Sequence, residues 1–174
     1  MPRNGLLPLS MPARTIVLLA GLVLILATVN RQIMEKERIL RDGAVVLLQL
    51  APVDPRSLLQ GDYMALNYAM AGPVLLAAES SGADDGYVVV ELDEMRAATF
   101  VELYTGRTLE QGQHLLRYRK RGGMVRLASD AYFFEEGQGH AYSSARYGEL
   151  RVSDDGEAVL TGLRDESGQR LGPK

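Results

Sequence analysis

A chain of 174 residues with 47% hydrophobic composition has enough apolar side chain for one packed domain and little room for a second. It contains no cysteine, which excludes disulfides, thiolate metal sites and a cysteine nucleophile together. Once Arg3, Arg14 and Arg31 are set aside, residues 32–174 hold 16 basic and 22 acidic side chains, and a net charge of −6 argues against nucleic acid as a partner.

Residues 1–10 read as a short N-terminal tail and 11–31 as a transmembrane anchor. From Met11 to Val29 the chain is apolar apart from Pro12, Arg14, Thr15 and Thr28, with the densest run from Ile16 to Ala27. Crossing a hydrocarbon core takes about 20 helical residues, so the segment suffices, with Arg14 snorkelling at one end. Ala27-Thr28-Val29-Asn30 fits a small-x-small cleavage site poorly, which favours an uncleaved anchor. Arg3 and Arg14 precede the apolar run with no acidic residue, whereas Arg31, Glu35, Lys36, Glu37 and Arg38 follow it. The positive-inside rule then keeps the N-terminus in the cytoplasm and puts the rest on the periplasmic side of the cytoplasmic membrane. The lipid bilayer is the first partner expected. Residues 32–43 continue as a juxtamembrane helix or linker, closed at Asp42-Gly43.

Residues 44–167 read as a β-rich domain, with 168–174 as a C-terminal tail. Ala44–Leu50 is a continuous apolar run of strand length. Asp54 suits a helix N-cap, Pro55 the first helical position and Gly61 the closing left-handed residue, so 54–61 predicts a single helical turn. Asp62 then opens a strand in which Met64, Leu66 and Tyr68 share one face and Tyr63, Ala65 and Asn67 the other. Aromatics on both faces imply a strand covered on both sides or a bulge near Tyr63. Ala69–Glu79 is ambiguous between a broken strand and a short helix. Strands follow at Tyr87–Leu92 and Ala97–Tyr104, at His114–Arg121 and Met124–Ala128 around Gly122-Gly123, at Tyr132–Phe134, at Ala141–Val152, and at Ala158–Leu160 after the turn Ser153-Asp154-Asp155-Gly156. This spacing predicts an antiparallel β-sandwich or barrel-like domain with one or two short helices behind the anchor.

Gly61-Asp62-Tyr63-x-x-Leu66-x-Tyr68 matches the pattern for which the GDYXXLXY family of bacterial membrane-anchored proteins is named, and the chain resembles that family over nearly its whole length. Asp54-Pro55-Arg56-Ser57-Leu58-Leu59 and Ala145-Arg146-Tyr147-Gly148-Glu149-Leu150-Arg151-Val152 strengthen the resemblance. It implies a membrane-anchored protein, often encoded beside polytopic membrane proteins, and supplies no catalytic residues.

The residues themselves point to binding more than to chemistry. An outward β-rich domain on an N-terminal anchor is also the architecture of signal peptidases, which need a serine just beyond the anchor and a neutral lysine. Asn30-Arg31-Gln32-Ile33-Met34 offers no serine, and Lys36, Lys120 and Lys174 are the only lysines. His114 and His140 lack metal-ligand spacing, and the acidic doublets sit in loops, so neither metal nor cofactor is expected. The leading expectation is a non-enzymatic accessory subunit of a polytopic membrane protein. Its candidate binding residues are Asp54, Arg56, Asp62, Tyr63 and Tyr68, with Arg146 and Tyr147 as a second element; Arg56 or Arg146 would pair with Asp54 or Asp62. An envelope hydrolase and a small-ligand sensor with Tyr63, Tyr68 and Tyr147 around one cavity are the rivals. Arg117, Arg119 and Arg121 share a strand face, either solvated or forming a basic stripe toward lipid headgroups or an acidic partner.

Overall fold

The computed structural model describes residues 11–51, 59–60 and 63–173, and the chain divides into two compact units at the Glu37/Arg38 boundary. Helix α1 runs Met11–Asp42, about 48 Å at the helical rise per residue, and its apolar side chains from Ile16 to Val29 are exposed. A helix apolar all round suits lipid rather than a core, and among the described residues this is the one helix long and apolar enough to cross a membrane. Gly43 ends it. Its amide donates to the Ile39 carbonyl at 2.9 Å, and a Cβ at 43 would stand 2.5 Å from that oxygen, so glycine alone fits this exit.

The second unit is mainly β and antiparallel, a curled half-barrel of short sheets. Strand β1 (Ala44–Gln49) pairs with β9 (Tyr147–Val152), which pairs in turn with β10 (Ala158–Arg164). Strands β2 (Leu59–Gln60), β3 (Tyr63–Ala65) and β8 (Ala131–Phe133) form a second sheet in that order. The third has the order β5-β4-β6-β7, from β4 (Asp85–Leu92), β5 (Ala98–Leu103), β6 (Gln113–Arg121) and β7 (Met124–Arg126). Single bridges join them: Leu50 to Tyr68 antiparallel, and Leu47 to Ala97 parallel. Inward side chains alternate as period two requires, so Val46, Leu48, Leu116, Tyr118, Leu150 and Val152 enclose one core.

The ambiguous stretch is helix α2 (Ala71–Ser81), which buries Val74 and Ala78. Pro73 lies in its first turn, where the missing N–H breaks no bond, and Gly82 at φ +71° caps it. The β6–β7 hairpin turns on Gly122 (φ +58°) and Gly123 (φ +76°), as the glycine pair predicts. Three expectations are corrected. The strand predicted over 141–152 starts only at Tyr147, because Gly139–Tyr142 forms a 3₁₀ turn that brings the Tyr142 ring onto Phe134 (5.3 Å) and Tyr132 (5.2 Å). Strand β7 stops at Arg126, short of Ala128, whose φ of +31° no strand accommodates. Leu59 and Gln60, assigned to the helical turn, instead pair as strand with Met64 and Tyr63; the cap and opening of that turn at 54–58 lie outside the described residues.

Candidate functional site

The described part of the family pattern runs from Tyr63 to Tyr68. Met64, Leu66 and Tyr68 are buried, Tyr63 and Ala65 half-buried, and Asn67 exposed, so the predicted alternation holds. The β3–β8 register runs from Tyr63 opposite Phe133 to Ala65 opposite Ala131 without a shift, which answers the question of a bulge. Tyr63 lies 5.8 Å from Phe133, ring centre to ring centre, and Phe133 is 74% exposed. This pair gives the small sheet an aromatic outer face.

Tyr68 points the other way, into the core. Its hydroxyl donates to the Ser129 carbonyl at 2.9 Å, and burial, reinforced by the nearby Asp130 carboxylate, raises its pKa well above the usual phenol value of 10.0. The ring also lies against Gly148: a Cβ there would meet Tyr68 Cε1 at 3.2 Å and Leu160 Cδ1 at 3.3 Å. The two stretches that carried the family resemblance therefore interlock, the tyrosine of one filling the space left by the glycine of the other. Backbone bonds reinforce the joint, since the Leu50 amide donates to Arg146 O at 2.8 Å and Leu50 bridges to Tyr68.

Of the predicted site residues, Tyr68 and Arg146 share Leu50 as a backbone neighbour, and Tyr147 precedes the Gly148 against which the Tyr68 ring lies. Arg146 keeps its side chain exposed, with one long bond to Ala145 O (3.4 Å) and no ion pair among the described residues. Tyr147 is half-buried, in register with Gln49 and Arg164. Gly61, Asp54, Arg56 and Asp62 lie outside the described residues, and with them the partners expected for Arg146. Tyr68 is only 6% exposed, so among the described residues its ring does not line an open cavity with Tyr63 and Tyr147.

The pattern also holds a neighbouring segment. The Leu66 amide donates to Asp130 O at 2.8 Å, and together with the Tyr68–Ser129 bond this fixes residues 127–130 as they leave β7. That segment walls a cleft of about 270 Å³ with the arginines of β6. Strand β6 changes partner here: Arg119–Arg121 pair with β7, whereas the Arg117 amide donates to Gly156 O at 2.9 Å, at the entry to β10. The cleft opens between those two neighbours. The predicted stripe is largely neutralised, with Arg117 paired to Glu157 and Arg121 to Asp85 (3.0 Å). Across the cleft Arg126 pairs with Asp130 at 3.1 Å. Arg119, directly opposite Arg126 in the register, has no ion pair among the described residues.

Sequence reasoning missed Glu149. It lies on the face of β9 opposite Gly148, Leu150 and Val152, where alternation predicts solvent, yet it is 4% exposed. Arg164 Nε donates to its Oε2 at 2.7 Å, Thr161 Oγ1 lies 3.2 Å from Oε1, and Arg164 Nη1 reaches on to Gly168 O at 2.6 Å. The cover is the segment after β10, whose Arg170 bridges to Arg164 and whose Leu171 amide donates to Leu163 O. The signal available was Thr161 and Arg164 on the strand that turns back from β9.

A family model described as GDYXXLXY protein matches residues 25–163. No curated protein and no solved structure matches the chain. The matched range takes in most of the chain, including both interlocked stretches and the loop they hold, and the protein belongs to the GDYXXLXY family.

Proposed function

We propose that the protein is a membrane-tethered binding subunit without catalytic activity, held by α1 at the outer face of the cytoplasmic membrane and docking its β unit on a polytopic membrane protein. The observation that carries this reading is the division of labour between the aromatics of the small sheet. Tyr68 is shut inside and holds the fold together, while Tyr63 and Phe133 lie in tilted contact on the outer face, with Tyr63 half-buried and Phe133 largely exposed. Rigid aromatics presented to solvent are the side chains that anchor protein interfaces. The apolar helix and the N-terminal arginines support the tether and its orientation. A tether raises the effective concentration of such a patch near its partner, so a small interface suffices.

The test is site-specific photocrosslinking in native membranes with the crosslinker at position 133 and, as a control, at the equally exposed Leu76 of α2. The reading expects one discrete adduct with a polytopic membrane protein from position 133, absent from position 76 and abolished by Tyr63→Ser. Identical patterns from both positions, or no protein adduct from 133, overturn it.

A further inference from the structure

The cleft on β6 carries an excess of positive charge. Among the described residues that line it, three guanidinium groups, Arg117, Arg119 and Arg126, face two carboxylates, Glu157 and Asp130, and Asp85, opposite Arg119 on β4, is taken by Arg121. Arg119 and Arg126 are cross-strand partners, and like charges directly opposite each other are destabilising. Arg117 is held by the part-buried Glu157, so its orientation is set before any ligand arrives, while Arg126 pairs with Asp130 at the exposed lip. Arg119 has donors to give and no acceptor among the described residues. The lip is held under strain as well: Ala128 sits at φ +31°, a backbone region that disfavours a side chain, between the paired Arg126 and the Leu66- and Tyr68-bound residues 129–130.

We propose that this cleft binds a singly charged oxyanion of the phosphate class, a phosphodiester or a monobasic phosphate, with Arg119 as its principal ligand and Arg126 and Arg117 alongside. A guanidinium fork matches two oxygens of such a group, and the excess of one positive charge suits a monoanion. A dianion would meet the carboxylates of Asp130 and Glu157. The family pattern acquires a ligand-related role through this site, because Leu66 and Tyr68 fix the wall that carries Asp130 and thereby place Arg126.

The experiment uses the full-length protein in phosphatidylcholine nanodiscs. Its thermal midpoint is followed while inorganic phosphate or dimethyl phosphate is titrated against chloride at constant ionic strength. The wild type is expected to show a saturable rise. Arg119→Gln weakens the response by about tenfold or more, as loss of a charge-assisted fork requires, while Arg119→Lys weakens it less. Arg107→Gln, whose side chain pairs with Glu102 and does not line the cleft, leaves it unchanged. A second arm in phosphatidylglycerol nanodiscs separates the sources. If a lipid headgroup fills the cleft, the wild-type midpoint is already raised there, added phosphate adds little, and Arg119→Gln removes the rise. If the ligand is free, both disc types give the same titration. A response that does not saturate, or that Arg119→Gln retains in both disc types, overturns the proposal. Crosslinking at position 133 reads the docking surface independently, so either reading can fail alone.

Discussion

Two arginine-bearing sites in the β unit treat charge in opposite ways. On the outer face of β9 and β10, one buried carboxylate meets one partly buried guanidinium beneath the chain that follows β10, and both carboxylate oxygens of Glu149 have a partner. In the cleft beside β6, three guanidiniums line the wall with two carboxylates in reach of water, and Arg119, opposite Arg126 in the register, has no ion pair among the described residues. A charge that serves the fold must be matched because desolvation punishes any remainder. A charge that waits for a ligand can stay unmatched only where solvent still screens it.

The largest effect expected from breaking this contrast is at the matched site. Glu149→Ala leaves the partly buried Arg164 without its counter-ion and should cost about 3 kcal/mol in urea unfolding of the full-length protein, the low end for a buried pair, whereas Glu149→Leu combined with Arg164→Met should cost far less. Next comes the interlock. Gly148→Ala drives a methyl against the Tyr68 ring and Leu160 and should cost about 1–3 kcal/mol. Tyr68→Phe removes the bond to Ser129 and leaves that carbonyl unpaired, at about 1–2 kcal/mol. It should also change the alkaline limb of stability. The folded pKa of Tyr68 is raised, so its contribution is complete below the unfolded phenol value of 10.0 and declines as pH rises above it; the slope of unfolding free energy above pH 10 should be shallower in the variant. Smallest of all, Arg119→Gln should move stability by no more than about 0.5 kcal/mol, in the stabilising direction at low salt, with the gain disappearing as salt is added. A large loss there would show the cleft to be structural and erase the contrast.

How much of this was legible in the sequence follows the same division. Apolar runs and periodicity found the long apolar helix, β1 as a buried strand, the inward faces of β3 and β6, and the Gly122-Gly123 hairpin, because each depends on local spacing alone. The joint of Tyr68 with Gly148 was visible as two stretches of one family, but not as a contact, since nothing local says that a glycine in β9 is small for the sake of a ring some eighty residues earlier. Alternation puts Glu149 on the outer face of β9 and cannot say what later chain covers it. Ala141 and Tyr142 were read as strand because their packing on Phe134 and Tyr132 is tertiary. The arginine stripe was legible as a face, yet its neutralisation by Glu157 and Asp85 depends on how β6 changes neighbours along one edge.

The pairing of β1 with β9 has a consequence in time. Ala44–Gln49 is the earliest strand in chain order, and its register partners are residues 147–152. Until those are synthesised, an apolar hexapeptide waits with its ladder open, and closing it carries the loop entropy of nearly the whole β unit. Folding of this unit should therefore be slow and completed from its beginning, and a chain stopped ahead of β9 should be a substrate for chaperones and proteases: the first strand to be made is the last to be satisfied.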